Sequence, residues 1–301
     1  MSPADNPSLS AIPEELRRAA AEGSPQAQYE LGEAFRTGRY AEPDFSQAVK
    51  WLRLAAAQGL ALAQHQLGEM YVSGRDLEAD YPEALKWFHK AAAQGLDRSQ
   101  YALGVMFQEG LGIPADLAEA ARWIRLAAEQ GSAEAQRALG FICHFGQGEN
   151  QSYKESLKWF RLAAEQGLAS AQFSLGSMYQ EGLGTVPDMA EAIKWFTLAA
   201  DQGLMQAQAN LGFIYLKGEG VPEDFGQAFR YLSLAADQQS ASAQGILGIM
   251  YLQGWGTVKD LDAASEWLSR AAENGDTQAR EMLACLPDLK IPPGRPPRQD
   301  A

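Results

Sequence analysis

Apolar and polar positions recur along this chain with a period of 36 residues. Each period holds two stretches in which small or apolar residues lie three and four positions apart, a spacing typical of an amphipathic α-helix. The first stretch begins with Ala27, Leu31, Ala34 and Phe35 as its inward positions. The second stretch takes the seven forms KWLRLAAAQG (50–59), KWFHKAAAQG (86–95), RWIRLAAEQG (122–131), KWFRLAAEQG (158–167), KWFTLAADQG (194–203), RYLSLAADQQ (230–239) and EWLSRAAENG (266–275). The pattern predicts an all-α chain of seven helix hairpins, each burying its apolar flank against the next.

The periodic segment has a predicted boundary on each side. The repeat units are 24–59, 60–95, 96–131, 132–167, 168–203, 204–239 and 240–275. Residues 12–23 and 276–287 each carry the pattern of a single helix, so we predict that they cap the two ends of the array. Residues 1–11 then form an N-terminal tail, and the proline-rich residues 288–301 are expected to be disordered or polyproline-like.

Short polar residues mark the start of each second helix. They are Asp44, Asp80, Asp116, Ser152, Asp188, Asp224 and Asp260, and three positions later stand Gln47, Glu83, Glu119, Glu155, Glu191, Gln227 and Ala263. Six units therefore fit the capping box, in which the first residue accepts from a helical N–H and the Glu or Gln reaches back to the cap. Glycine ends each first helix, beginning with Gly38, as expected for a left-handed C-terminal cap.

A second glycine lies inside every first helix, where it costs up to about 1 kcal/mol relative to alanine. It is Gly32 in the first unit, and it follows a leucine in all seven. We expect a close approach at this glycine. Either the ring of Trp51, with its equivalents in later units, or the neighbouring backbone would pack over the missing side chain.

The pattern A-x-A-Q-x-x-L-G-x-x-Y-x-x-G-x-G…D-x-x-x-A-x-x-W-x-x-x-A-A-x-x-G resembles the Sel1-like repeat, a relative of the tetratricopeptide repeat. Residues 168–203 match it almost throughout. The resemblance implies a right-handed α/α superhelical solenoid that serves as a platform for protein–protein contacts, commonly in bacterial signalling, envelope assembly or host interaction. Unit 4 departs from the pattern at Cys143, where the other units have Phe or Tyr, and at Ser156, where they have alanine.

The resemblance also implies that the free face of the first helices lines a concave groove. Helical geometry places positions 26, 29, 33, 36 and 37 of the first unit opposite its core positions. The candidate groove residues are Tyr29, Glu33, Arg36, His65, Glu69, Tyr101, Val105, Arg137, Phe141, His144, Phe173, Phe213, Leu216, Ile249 and Leu252. This face changes along the array from charged through aromatic to aliphatic. We predict that it holds a partner peptide or protein, with Glu33 and Glu69 available to pair with a basic segment.

Two alternative roles for these side chains stay open. Adjacent first helices could lie so close that the side chains cover one another, or the apolar residues of the last units could form a homodimer seam. Replacing Phe141 and Phe213 with aspartate would separate the possibilities. Unchanged melting with loss of partner capture would support a groove, and a collapse of stability would support packing.

Charge and composition narrow the class of partner and the location. Lys and Arg number 25 against 38 Asp and Glu, and the resulting net charge of −13 repels phosphate backbones, so we expect no nucleic-acid partner. No apolar run approaches the ~18 residues of a membrane span, and residues 1–23 contain no apolar stretch typical of a secretory signal. Two cysteines are too few for a disulfide framework. These features predict a cytoplasmic protein with no membrane partner.

No set of residues indicates catalysis, a metal or another cofactor. Cys143 and His144 are neighbours that point about 100° apart on a helix, so they cannot act as a nucleophilic pair, and we interpret Cys143 as a small buried hydrophobe. His65, His89 and His144 lack ligand spacing. The Gly-x-Gly loops follow helices and are interpreted as caps. The sequence therefore predicts a non-enzymatic scaffold, with β-lactam binding or hydrolysis, known among cysteine-rich relatives, as a remote alternative.

Two further features could contribute contacts. Trp255, in the loop of the last unit, is expected either to anchor a contact or to fold back on the terminal helix. The segment PPGRPPR near the C-terminus resembles a ligand for grooves that bind polyproline helices.

Overall fold

A computed structural model describes residues 11–74 and 77–285, and every regular element in those ranges is an α-helix. The first helices of the seven hairpins are α2 (Pro25–Thr37), α4 (Ala61–Ser73), α6 (Asp97–Glu109), α8 (Ala133–Phe145), α10 (Ala169–Glu181), α12 (Met205–Lys217) and α14 (Ala241–Gln253). The second helices are α3 (Phe45–Ala57), α5 (Tyr81–Ala93), α7 (Leu117–Glu129), α9 (Tyr153–Glu165), α11 (Met189–Asp201), α13 (Phe225–Asp237) and α15 (Leu261–Glu273). The predicted all-α hairpin array is confirmed over these residues.

The chain divides between Trp159 and Phe160 into two compact units. Helices α1 (Glu14–Ala21) to α8 lie in the N-terminal unit, α10 to α16 (Thr277–Cys285) lie in the C-terminal unit, and α9 contains the division. The single helices α1 and α16 stand where capping helices are predicted. The predicted tails fall mostly outside the described residues, namely 1–10 and 286–301.

Each second helix begins with the predicted side-chain cap. The Asp44 carboxylate accepts from the backbone N–H of Gln47 at 3.0 Å, and Asp80 accepts from Glu83 at 2.9 Å. The same cap recurs at Asp116, Ser152, Asp188, Asp224 and Asp260. Because an N-terminal cap contributes about 1 kcal/mol, these bonds fix where each helix starts.

The second bond of the predicted capping box, from the Glu or Gln side chain back to the N–H of the cap residue, is not formed. The backbone N–H of Asp44 donates to the carbonyl of Phe35 at 2.9 Å, and the equivalent bond joins Asp80 to Tyr71 at 3.1 Å, so the cap residue has no free N–H for a Glu or Gln to reach. The glutamates at this position instead pair with a cation one turn later, as in Glu119 with Arg122 at 2.7 Å. The bond from the cap to the first helix therefore ties the two helices of each hairpin together.

The glycine inside each first helix does receive a close neighbour, but not the predicted tryptophan. A Cβ built on Gly32 would lie 2.8 Å from Cγ of Leu52, and one built on Gly68 would lie 2.6 Å from Cε1 of Phe88. In these repeats the residue after the tryptophan thus fills the space that the glycine leaves. The tryptophan packs elsewhere: Trp87 lies against the apolar cluster between α3 and α4.

A buried glutamine links each repeat to the helix before it. Gln28 donates from Nε2 to the carbonyl of Ala20 at 3.1 Å, and its Oε1 accepts from Gln58 at 2.8 Å. The arrangement recurs at Gln64, Gln100, Gln172, Gln208 and Gln244. Each of these carbonyls also accepts a backbone N–H just after its helix, as Ala20 does from Gly23 at 3.1 Å, so the glutamine supplies a second donor and satisfies its own buried amide at the same time.

The two glycines of the Gly-x-Gly loop in the fourth repeat have different roles. Gly146 has φ 69° and caps the end of α8, as predicted. Gly148 has φ 78°, and a Cβ there would collide with the carbonyl oxygen of Leu117 in the preceding hairpin. The second loop glycine is therefore a packing residue between repeats as well as part of a turn.

Candidate functional site

The predicted groove residues all lie on first helices, and most are half-buried. His65 is buried and Glu69 is exposed. The N-terminal unit holds Tyr29, Glu33, Arg36, His65, Glu69, Tyr101, Val105, Arg137, Phe141 and His144, and the C-terminal unit holds Phe173, Phe213, Leu216, Ile249 and Leu252. This face is therefore partly accessible to solvent and partly covered by neighbouring side chains.

The main feature of the N-terminal unit is an open groove of about 950 Å³ along α2, α4, α6 and the start of α8. Five of the predicted residues line it: Arg36, His65, Glu69, Tyr101 and Val105. Its apolar lining also includes Met70, Val72, Phe88, Met106 and Leu111, and its polar lining includes Gln66, Arg98, Ser132 and Glu134. We refer to this feature as the N-terminal groove.

A smaller hollow of about 280 Å³ adjoins this groove, with which it shares Tyr101 and Val105. It brings in two further predicted residues, Arg137 and Phe141. The Arg137 guanidinium lies 5.6 Å from the centre of the Phe141 ring, within the range of a cation–π contact. Seven of the ten predicted residues of the N-terminal unit thus line two adjoining hollows.

The charged end of the N-terminal groove is largely paired within the chain. Arg36 forms two bonds to the Glu33 carboxylate, at 2.7 and 2.8 Å, so Glu33 is not the free acid that the sequence suggested. His65 places Nδ1 2.9 Å from Ser99 Oγ and Nε2 3.4 Å from Glu69 Oε1. The hydrogen bond from His65 is the main cause that lowers the pKa of the Glu69 carboxyl below its ordinary value.

Packing between repeats accounts for part of the predicted face. Tyr29 packs against the apolar cluster between α3 and α4, and burial is the main cause that raises the pKa of its hydroxyl. In the C-terminal unit Phe173, Phe213, Leu216 and Leu252 pack against neighbouring clusters. Replacing Phe213 would therefore test packing as well as binding, and Val105, which lines both hollows, is a better probe.

Sequence reasoning missed several residues of the N-terminal groove. Arg98 and Glu134 occupy the position of Gln26, which helical geometry places on this face. Phe45, the first residue of α3, also lines the groove and is exposed. Its signal was an apolar residue directly after the cap, at a position that recurs in every unit.

Cys143 is buried, as predicted, but it is not a simple hydrophobe. Its Sγ lies 2.9 Å from Oε1 of Glu149, whose other oxygen pairs with Arg125 at 2.5 Å. Burial, followed by the bond to Glu149, raises the pKa of the Cys143 thiol to about 12. This thiol is therefore a hydrogen-bond donor that stays protonated at neutral pH, the opposite of an activated nucleophile.

Thiol labelling checks this assignment. At pH 8 a maleimide should modify one thiol of the folded chain quickly, the exposed Cys285, while Cys143 reacts at least 100-fold more slowly because it is buried and almost wholly protonated. Unfolding in urea should release the second equivalent. Two equally fast thiols in the folded chain would contradict the assignment.

Other candidate chemistry is limited. Within residues 11–74 and 77–285, no group of three or more His, Cys, Asp and Glu side chains could hold a metal ion. Over the same ranges, no helix is long and apolar enough to cross a membrane. Trp255 stacks on Phe225, the first residue of α13, with ring centres 5.4 Å apart. The polyproline-like motif, residues 292–298, lies outside the described ranges.

Comparison with known families decides what kind of repeat this is. The Sel1 repeat profile matches residues 25–60, 61–96, 97–132, 133–168, 169–204, 206–240 and 241–276. The chain belongs to the Sel1 repeat family. Sel1 repeat proteins generally mediate protein–protein interaction, and the family is typically non-enzymatic.

Two solved Sel1 repeat structures are similar to this chain. One is a protective antigen of uropathogenic Escherichia coli, with 37% identity, a TM-score of 0.90, and coverage of 92% of this chain and 60% of the antigen. The other is a Sel1 repeat protein from Oxalobacter formigenes, with 37% identity, a TM-score of 0.75, and coverage of 90% and 78% respectively. This chain thus spans 60% of the length of the antigen. A search of curated proteins gives no match.

Proposed function

We propose that this Sel1 repeat chain is a non-enzymatic scaffold that binds a segment of a partner protein in the N-terminal groove. The observation that carries the proposal is the groove itself, an open hollow of about 950 Å³ on the face where the sequence places its variable residues. That volume lies at the upper end of the range for ligand sites, about 300–1,000 Å³. A cytoplasmic role in bacterial signalling or regulation is part of the same proposal.

The lining of the groove supports a peptide ligand. Phe45, which is exposed, and Tyr101 and Val105, which are half-buried, offer apolar contact. Arg98 and Glu134 supply exposed charges of both signs that could orient a bound segment. Buried columns such as Leu-Gly stay constant among the seven units, whereas the column Glu33, Glu69, Val105 and Phe141 varies along the array. Constant packing beside a varying lining suits recognition of one particular partner.

Homodimerisation through the last repeats remains the alternative. Leu216 and Leu252, two of the residues on which it depends, pack against clusters of their own unit. Sedimentation over a range of concentrations separates a monomeric scaffold from a dimer.

A matched pair of substitutions in the third repeat tests the groove. Val105→Glu places a charge in the groove and should reduce partner capture from native lysate at least tenfold, because the carboxylate would have to be buried on binding. Leu126→Glu makes the same chemical change on the second helix, at a leucine that is 39% exposed, and should capture normally.

Melting followed by circular dichroism shows whether the two variants fold equally well. Arg98→Glu provides a second groove variant at an exposed position, where folding should not change. Equal capture by the wild type, Val105→Glu and Arg98→Glu would rule out this groove as the binding site.

A further inference from the structure

The last repeat contains a notch that its sequence sets apart from the earlier hairpins. Its first helix carries Gly245 at the position occupied in the earlier units by Tyr29, His65, Tyr101, Arg137, Phe173 and Ala209. Beside Gly245 lies a hollow of about 220 Å³ lined by Phe213, Ile246, Ile249, Leu268 and Met282. We refer to this hollow as the C-terminal notch.

The earlier repeats show what normally occupies such a place. The His65 ring lies 5.4 Å from the ring of Phe88, and the Phe173 ring lies 5.5 Å from that of Phe196. Each of these rings packs against the side chain, Phe88 or Phe196, that occupies the space beside the internal glycine of its hairpin. Leu268 is the corresponding residue of the last repeat; it lies at the buried floor of the notch, and Gly245 places no ring over it.

A carboxylate stands in the wall of the C-terminal notch. Asp276 caps α16 through Oδ1, which accepts from the N–H of Ala279 at 3.1 Å. Its other oxygen, Oδ2, faces the notch, since a Cβ built on Gly245 would lie 2.6 Å from it. Earlier first helices start with serine or leucine here, namely Ser24, Leu60, Leu96, Ser132, Leu168, Leu204 and Ser240. Glycine and aspartate together thus give this repeat an apolar hollow with one anionic wall.

The same face already accommodates an arginine over an aromatic ring. In the fourth repeat Arg137, at the position of Gly245, holds its guanidinium 5.6 Å from the Phe141 ring. Phe213 occupies the position of Phe141 in the sixth repeat and supplies a ring to the notch. In the last repeat Ile249 takes the position of Phe141, but the Phe213 ring and the Asp276 carboxylate both line the notch, so a guanidinium entering it would meet a ring and an acid together.

We propose that the C-terminal notch binds an arginine side chain of a basic partner segment. The methylene groups lie against Ile249 and Met282, the guanidinium stacks on Phe213, and its N–H groups donate to Oδ2 of Asp276. Arginine fits better than lysine because its planar group can stack and bind a carboxylate at once. A volume of about 220 Å³ is below the usual range for a whole small molecule and suits one side chain.

The charge of the whole chain favours the same ligand. A net charge of −13 attracts basic segments and accelerates their encounter with the surface. The inference rests on the proposed scaffold function, to which it adds the chemistry of the partner. A small arginine compound tests the notch directly, so the notch assignment can fail while the scaffold proposal stands, and the reverse.

The experiment is a titration of the full chain, labelled at isoleucine and methionine methyl groups, with N-acetyl-arginine amide. Nuclear magnetic resonance should show saturable shifts of the Ile249 and Met282 methyl signals. N-acetyl-citrulline amide has nearly the same shape without the charge and should bind at least tenfold more weakly. Asp276→Asn should weaken arginine binding at least tenfold while it preserves the fold, because asparagine is an equally good helix cap. Asp260→Asn removes a charge from a cap outside the notch and should bind as the wild type does.

Three results would overturn the proposal. The first is the absence of shifts at these methyl groups, and the second is equal binding by citrulline or by the Asp276→Asn variant. The third is a shift of the same signals on Arg295→Gln and Arg298→Gln substitution without any probe, since the chain's own arginines would then fill the notch. If the notch binds arginine while Val105→Glu still captures partner normally, the groove proposal fails and the notch assignment stands.

Discussion

Replacing Phe196 with alanine is expected to lower the free energy of unfolding of the C-terminal unit by about 3–5 kcal/mol. Phe196 is fully buried in α11, where it packs with Ala192, Ala199 and Leu211. The deletion removes a whole ring and leaves a cavity that the surrounding helices cannot close, because each is fixed by its cap and its neighbours. Urea unfolding followed by circular dichroism, with hydrogen exchange to locate the loss, measures the effect.

Leu198→Ala is the matched control for this prediction, since Leu198 lies two residues away in the same helix and is 41% exposed. It should cost less than about 1 kcal/mol, because surface substitutions seldom cost more. A loss at Leu198 as large as that at Phe196 would show that α11 presents a different face to the core.

A second substitution tests whether Phe196 fills the space of its glycine. A Cβ on Gly176 would lie 2.7 Å from Cε1 of Phe196, so Gly176→Ala should destabilise the wild type by about 1–3 kcal/mol through overpacking. In the Phe196→Ala background the same change should be neutral or stabilising, because alanine favours the helix over glycine by about 1 kcal/mol. Additive effects in the double variant would contradict direct contact between the two residues.

Gly148→Ala is expected to destabilise the N-terminal unit by about 2–4 kcal/mol. Two costs combine: a left-handed backbone, with φ 78°, is strained by about 1–2 kcal/mol for a residue with a side chain, and the new Cβ collides with the Leu117 carbonyl oxygen. Since a backbone atom cannot rotate away as a side chain can, one of the two hairpins has to shift. Thermal and urea unfolding would both record the loss.

Gly131→Ala separates the two costs. Gly131 has φ 98° and nothing within 4 Å of a built Cβ, so its replacement should show backbone strain alone, about 1–2 kcal/mol. Equal losses at Gly131 and Gly148 would mean that the loop glycine has no packing role between repeats.

Local signals made most of the fold predictable. The caps at Asp44 and its equivalents depend on a side chain and an N–H three residues apart, and the left-handed glycines depend on one backbone angle. Contacts between elements were harder to predict. Trp51 and Leu52 are adjacent apolar residues that point about 100° apart, and only the packed hairpin shows that Leu52, not Trp51, covers Gly32. The predicted bond from the capping-box glutamates was wrong for the same reason. The N–H of the cap residue donates to a carbonyl of the first helix, and that contact joins two elements.

The sequence predicted which helix face carries the candidate site, but not which of its side chains are paired or packed within the chain. Helical geometry placed Tyr101 and Val105 on the free face, and both line the N-terminal groove. It could not show that Glu33 is paired with Arg36, or that Tyr29 packs against the next hairpin, since both depend on side-chain conformation. Gly245 is visible in the sequence as the exception in its column, but the hollow beside it also depends on how Asp276 and Met282 pack, which the sequence does not show.

The buried glutamines bear on how such an array can change its length. The glutamine of a repeat donates to the helix-end carbonyl before it, as Gln28 does to Ala20 of the capping helix and Gln64 does to Ala56 of the first repeat. Recombination between two repeats can add or remove 36 residues. The new junction then again joins a glutamine amide to a helix-end carbonyl. The number of repeats can therefore change while each junction between repeats keeps these hydrogen bonds. Natural variants should then differ in length by multiples of 36 residues.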